Sequence, residues 1–275
     1  MPEGPEIRRA ADELARALQG QRVNDVYFGL PQLRRFAGKL RGVSVDRVDT
    51  RGKAMLTRFT NGLTLYSHNQ LYGRWYVTQH GETPDTNRDL RVALHNDSHS
   101  AWLYSASDIE VLTQSQLASH PFLQRLGPDV LDDALTAKAL AARLDDDRFR
   151  RRSLAALYLD QGFLAGIGNY LRSEILFSAG LHGNDRPQDL SGKERRRLAV
   201  ESIRLSRRSY RTGGVTLPEQ RARSLRSAGK DYGEYRFWVF GRDGLACRKC
   251  GTRIDRVDAG SRGLFYCRTC QPRKR

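Results

Sequence analysis

Lysine is scarce in this chain. Only seven of its 47 basic residues are lysine, so nearly every positive charge is a guanidinium, a planar donor fork matched to phosphate. Acidic residues are also in deficit: 31 against 47 leaves a net charge of +16, which suits a polyanionic partner. Cysteine is limited to four residues, all in the last forty, which excludes a chain stapled throughout by disulfides. No apolar run reaches the ~18 residues of a membrane span, so no membrane partner is expected. The N-terminus lacks the cationic and apolar segments of a signal peptide, and a cytoplasmic protein with reduced thiols is expected. The absence of an acidic metal-binding cluster argues against a hydrolytic, RNA-processing nuclease. No internal repeat is visible.

What is present is unevenly distributed. At 275 residues the chain is long enough for two domains, and 39% hydrophobic with 28% charged residues is the composition of a soluble globular protein. Residues 1–130 carry 16 basic and 14 acidic side chains, net +2; residues 131–275 carry 31 and 17, net +14. A strongly basic half joined to a nearly neutral one indicates a nucleic-acid-binding module attached to something else, with a generally basic proteome or an anionic-lipid surface as the alternatives.

The pattern along the chain agrees. Residues 5–19 carry Ile7, Ala11, Leu14 and Leu18 at helical spacing, opened by Pro5 and stopped by Gly20. Short β-rich runs follow at 22–28, 43–50, 54–60, 63–68, 75–79, 90–94 and 101–104, with Asn61-Gly62 as a hairpin signal, and together they predict a β-sandwich. A connection near 121–128 leads to helical segments near 136–144, 153–160, 170–178 and 191–210. The stretch 211–231, rich in Gly, Ser and Arg, reads as a mobile basic loop.

Five places carry chemistry. In Met1-Pro2-Glu3-Gly4-Pro5-Glu6, removal of Met1 would leave a secondary amine beside two carboxylates. An α-amino group has a reference pKa of about 7.8 against about 10.4 for Lys, so more of it is unprotonated at neutral pH. Its condensation with a carbonyl or a sugar C1′ yields a cationic iminium that withdraws electrons. The alternative is a plain helix start, with Pro and Glu serving the helix N-terminus. The macrodipole there favours carboxylates, so Glu3 would need burial to hold a proton. Cys247, Cys250, Cys267 and Cys270 form C-x2-C-x16-C-x2-C, the spacing of a four-thiolate zinc site. Disulfides or free thiols are the alternative there, but nothing indicates export. Lys53, in Arg51-Gly52-Lys53 between two predicted strands, suits a general acid or phosphate contact, or is an ordinary turn lysine. Gln70-Leu71-Tyr72-Gly73 is either an exposed tip able to wedge into a base stack or a piece of core. Gly166-Ile167-Gly168-Asn169 opens a helix whose amides suit phosphate, with Asn169 as a candidate cap.

These motifs, with HPFLQRLGPDVL and LDQGFLAGIGNYLRSEIL, resemble in order the formamidopyrimidine-DNA glycosylase/endonuclease VIII family, with Gln70-Leu71-Tyr72 closest to its bacterial endonuclease VIII branch. The resemblance implies an α+β chain: an N-terminal helix and β-sandwich catalytic domain (1–125), a helix–two-turn–helix DNA-binding domain with the basic loop (126–235), and a zinc finger (236–275) holding one structural Zn2+. It implies a monomeric, nucleoid-associated glycosylase and abasic-site lyase acting on DNA with oxidised bases, mainly pyrimidines, or abasic sites. Pro2 would be the nucleophile, Glu3 the general acid and Glu6 its support. Lys53 would donate a proton in β-elimination, and Arg262 would grip phosphate and assist δ-elimination. Gln70, Leu71, Tyr72, Arg125 and Asn169 would contact DNA. The long 211–235 segment is similar instead to the lesion-capping loop of the formamidopyrimidine branch, which leaves oxidised purines open as substrates. A non-enzymatic zinc-finger protein that binds damaged DNA is the competing reading.

Overall fold

The computed structural model describes residues 2–260 and 262–274. Met1, whose removal would expose the Pro2 amine, lies outside the described residues. The chain forms two compact units: Pro2 with Glu6–Arg125, and Glu3–Pro5 with Leu126–Arg275.

The helical stripe read from the sequence becomes helix α1 (Gly4–Leu18), which from Glu6 onward belongs to the first unit and buries Ile7, Ala11, Leu14 and Leu18. Gly20, just beyond it, takes φ +76°, a conformation that favours glycine. Strands follow: β1 (Asp25–Phe28), β2 (Val45–Arg51), β3 (Ala54–Phe59), β4 (Thr64–His68), β5 (Arg74–Gln79), β6 (Leu90–His95), β7 (His99–Tyr104) and β8 (Asp108–Leu112). They make two four-stranded antiparallel sheets, ordered β1-β6-β7-β5 and β2-β3-β4-β8. Val26, Leu94 and Leu103 from one sheet share a core with Val45, Met55 and Leu65 from the other and with the apolar face of α1, so the expected β-sandwich is the observed one. Asn61-Gly62 makes the β3–β4 hairpin, with Gly62 at φ +82°.

Some elements were not expected. Strand β8 is an edge whose Asp108 and Glu110 alternate with buried Ile109 and Val111, a half-buried pattern masked by acidic residues that are poor strand formers. A 3-10 turn (Pro31–Phe36) runs into α2 (Ala37–Leu40), and α3 (Gln114–Ala118) and α4 (Pro121–Gln124) fill the connection before residue 126. Thr113 and Gln116 close a capping box at the start of α3.

The second unit is helical. It contains α5 (Ala137–Leu144), α6 (Leu154–Leu157), α7 (Asn169–Ala179), α8 (Gly192–Thr212), α9 (Glu219–Ser227) and α10 (Tyr232–Tyr235). Thr136 caps α5, a Ser191–Glu194 capping box opens α8, and Gly180 and Gly213 end α7 and α8 in the left-handed conformation. Helices α5 and α7 pack on α8 around Leu140, Leu144, Ile175, Leu198 and Leu205. The helix expected over 153–160 is confined to one turn, α6. The mobile loop expected at 211–231 is a folded segment: it carries α9, and Val215, Leu217 and Ala222 bury together in a small core of their own. The hairpin β9 (Asp255–Ala259) and β10 (Arg262–Tyr266) packs on α7, with Leu264 entering the main helical core. Among the described residues, no helix is long and apolar enough to cross a membrane.

Candidate active site

The carboxylate of Glu3 caps helix α7. Its side chain is buried, with 2% of the residue exposed. Oε2 accepts the Gly168 N–H at 2.7 Å and the Leu171 N–H at 3.3 Å, and Oε1 accepts the Tyr170 N–H at 2.8 Å. Three amides at the positive end of a helix are matched to a negative group. The cap expected from Asn169 is thus supplied by another residue: Gly168 stands at the N-cap position and Glu3 takes the amides. Two glycines make room for it. The Gly4 N–H donates to the Gly166 carbonyl at 2.8 Å, and a Cβ on Gly4 would lie 2.9 Å from the Gly166 Cα. A Cβ on Gly168 would collide with the Glu3 carboxylate and lie 2.7 Å from its Cγ. Pro2, half-buried, is bonded to this immobilised residue, and Glu6 stands half-buried in the first turn of α1.

Two charged residues inside α7 extend the site. Arg172, fully buried, donates from Nη2 to the Asn169 Oδ1 at 2.6 Å and to the Gly263 carbonyl at 3.2 Å, and from Nη1 to the Ala155 carbonyl at 3.1 Å. Asn169 Nδ2 donates to the same Gly263 carbonyl at 3.0 Å. Burial pulls the Arg172 guanidinium down to about 10, with the nearby Arg262 charge adding and Glu3 opposing. The first turn of α7 therefore gathers Glu3, Asn169, Arg172 and the β10 residue Arg262. Two features far apart in the sequence, a Gly-rich helix start and an Arg in the zinc finger, meet at one helix end. Glu174, also fully buried, accepts the Thr216 hydroxyl at 2.5 Å and the N–H groups of Trp238, Val239 and Phe240 at 2.8, 2.8 and 3.0 Å. Burial pushes its carboxyl up against the pull of these donors. The sequence reading does not single out Arg172 or Glu174, although two opposite charges in the otherwise uncharged run Asn169–Ala179 are the signal that marks them.

In the first unit, Lys53 is buried, with 8% exposed, in the tight turn between β2 and β3 where Gly52 takes φ +60°. It is not an ordinary exposed turn lysine. The Gln70-Leu71-Tyr72 turn is the opposite case: Leu71 is 56% and Tyr72 69% exposed, so the two are a projecting apolar tip and not core. Gln70 itself is exposed and takes φ +49°. Arg125 is exposed at the end of α4, its Nε donating to the Pro121 carbonyl at 3.0 Å.

The four cysteines come together as their spacing predicts. Their sulfurs all lie within 4.8 Å of one another, with Cys250–Cys267 at 3.5 Å and Cys247–Cys270 at 4.0 Å. A tetrahedron of Zn–S bonds of about 2.3 Å requires sulfurs ~3.8 Å apart, so the donor set fits zinc. Gly251, after the second Cys, takes φ +82° in the knuckle turn. Hydrogen bonds from Thr252 pull the Cys250 thiol down to about 6, whereas burial pushes Cys267 and Cys270 up, a division that a bound dication would remove.

Three family models match in chain order: the formamidopyrimidine-DNA glycosylase N-terminal domain over residues 1–107, the formamidopyrimidine-DNA glycosylase H2TH domain over 126–221, and the zinc finger found in FPG and IleRS over 244–273. Endonuclease 8 of Escherichia coli is 51% identical over 271 residues, covering 98% of this chain and 100% of that protein. Endonuclease 8 of Salmonella arizonae is 50% identical over 272 residues with the same coverage. Among solved structures, Lactococcus lactis formamidopyrimidine DNA glycosylase bound non-covalently to DNA containing an abasic site aligns with a TM-score of 0.81 at 18% identity, over 98% of this chain and 100% of that one. At that identity the likeness concerns the fold. With half of all positions shared over nearly its full length with two endonucleases 8, the chain belongs to the formamidopyrimidine-DNA glycosylase/endonuclease VIII family.

Proposed function

We propose that this protein is a base-excision-repair enzyme: a DNA glycosylase and abasic-site lyase that removes oxidised bases, pyrimidines foremost. The observation that carries this reading is the fixed carboxylate of Glu3, held by three amides of α7 in the residue bonded to Pro2. A catalytic terminus has to be immobile, and this one is anchored at its second residue.

The chemistry follows from the residue types. Once Met1 is removed, the Pro2 nitrogen attacks C1′ of the everted nucleotide, and the glycosidic bond breaks with its electron pair leaving on the base. Glu3, resting as the carboxylate its amides favour, takes the proton released by the attacking amine and returns it to the opening sugar ring. Glu6 supports the same site. The resulting iminium withdraws electrons from the sugar, so the 2′-proton passes to water, its C–H pair forms the C2′–C3′ double bond, and the 3′-phosphate leaves with the C3′–O pair. Lys53, whose burial restrains its side chain, donates the proton in that β-elimination, and Arg262 holds the phosphate for δ-elimination. Gln70, Leu71, Tyr72, Arg125 and Asn169 contact the DNA. We take residues 126–235 as the DNA-binding domain, 236–275 as the finger, and the active species as a monomer working on chromosomal DNA.

Borohydride trapping on duplex DNA containing thymine glycol or dihydrouracil tests this reading. A covalent adduct is expected from the mature protein, and none from a form whose Pro2 amine is blocked. An adduct of equal yield from the blocked form would overturn the role of Pro2, and no adduct from either would leave only a damage-binding protein.

A further inference from the structure

The turn that carries Leu71 and Tyr72 is set by contacts that none of the roles above uses. Gln70 lies at φ +49°, a left-handed conformation that costs energy for any residue but glycine. At the base of the turn its N–H donates to Nδ1 of His68 at 3.2 Å. The Ser107 hydroxyl donates to Gln70 Oε1 at 3.0 Å, and the Gly73 N–H closes the loop on the Asn69 carbonyl at 2.8 Å. Across the tip, Arg88 Nη1 donates to the Tyr72 carbonyl at 2.6 Å. The His68 ring stands edge-on to Phe122 of α4, centroids 5.2 Å apart, so it is held as well as holding. A ring nitrogen that accepts an N–H carries no proton, which makes His68 the neutral tautomer with its hydrogen on Nε2.

We propose that His68 is the positioning residue of the projecting tip: its unprotonated Nδ1 holds the Gln70 backbone in the left-handed conformation from which Leu71 and Tyr72 stand out. In use, this rests on the proposed role of the tip, which fills the space an everted nucleotide leaves in the duplex. Protonation would turn Nδ1 from acceptor to donor, set two N–H groups against each other and release the turn. Burial holds the imidazole below its usual range; Asp108, its partner in register on β8, opposes this, and the Lys53 charge adds to it. Tyr66, Glu110 and His120 are the other titratable groups around Asp108. The tip is therefore set at neutral pH and released on acidification.

The experiment uses the full-length enzyme and DNA carrying one dihydrouracil, as duplex and as single strand, under single-turnover conditions. In single-stranded DNA the base is already unpaired and a wedge has little to do. An Asn side chain can place its oxygen where Nδ1 stands; a Gln side chain mimics Nε2. His68→Gln should lower excision from duplex by roughly tenfold relative to single strand, the scale of one lost hydrogen bond plus a relaxed backbone. His68→Asn should restore it and flatten the acid limb of the duplex pH profile. Equal impairment of both variants, equal losses on both DNAs, or rescue by Gln and not Asn would overturn the proposal. Nitrogen-15 shifts of His68 in the free enzyme give a reading without DNA: a proton on Nδ1 at neutral pH overturns it. Leu71→Ala with unchanged duplex excision would sink the wedge, while the nitrogen shifts would still decide whether His68 holds Gln70.

Discussion

A carboxylate gripped by three amides has its position dictated by the backbone, and at Glu3 that grip depends on the absence of a single carbon. Gly168 sits at φ −132° and ψ −154°, extended backbone that alanine adopts without strain. A Cβ there, however, meets the Glu3 side chain head-on. Gly168→Ala should therefore displace the carboxylate and little else. Strand cleavage at an abasic site should drop by about a hundredfold, as expected for a catalytic group moved by about 1 Å, and stability should fall by about 1–3 kcal/mol for the uncapped amides. Single-turnover cleavage and thermal unfolding measure both, and cleavage at the wild-type rate would show that Glu3 need not be where it is. The terminal Pro-Glu pair was legible in the sequence because chain chemistry marks it. The burial of Lys53 was not, since a lysine in a Gly turn between strands is exposed in most folds, and only the packing of the turn decides otherwise.

At the scale of the element, α7 is the organising piece. One helix takes Glu3 on its first amides, holds the β10 backbone through Asn169 and Arg172, and fixes Thr216 and the 238–240 amides through Glu174. The helix itself was legible as a Leu-rich helical segment near 170–178. Its partners were not, because each is reached across scores of residues: the folded 211–231 segment read as a loop precisely where its apolar residues are few and the groups that satisfy it lie on α7. The same connection predicts what zinc does. Cys267 follows β10, and Leu264 of that strand sits in the helical core, so the finger and α7 share a strand. Removing zinc should loosen 244–273, raise amide exchange in β10 and weaken DNA binding, because structural metal sites contribute folding energy. Chelation with the metal loss verified, followed by hydrogen exchange and binding, checks this; unchanged binding would show that the finger holds its shape without the ion.

At the scale of the whole molecule, charge decides how the protein meets its substrate. After every acidic group in residues 131–275 is counted, 14 positive charges remain, and the chain as a whole has 40 arginines to seven lysines. Guanidiniums that neutralise phosphates release condensed counterions, so the logarithm of the binding constant falls with the logarithm of salt at about −0.9 per phosphate contacted. A protein that tracks a duplex with roughly six or more such contacts should show a slope of about −5 or steeper, and lose on the order of a thousandfold in affinity between about 50 and 200 mM salt. Fluorescence anisotropy on a duplex with a stable abasic analogue measures the slope. The substitutions then separate two kinds of contact. Arg125→Ala, if Arg125 meets a phosphate, should make the slope shallower by about one. Leu71→Ala should weaken binding with the slope unchanged, because an apolar wedge displaces no counterion. A slope shallower than about −2 for the intact protein would mean that the basic surface is not the DNA-binding surface, whatever the site chemistry does.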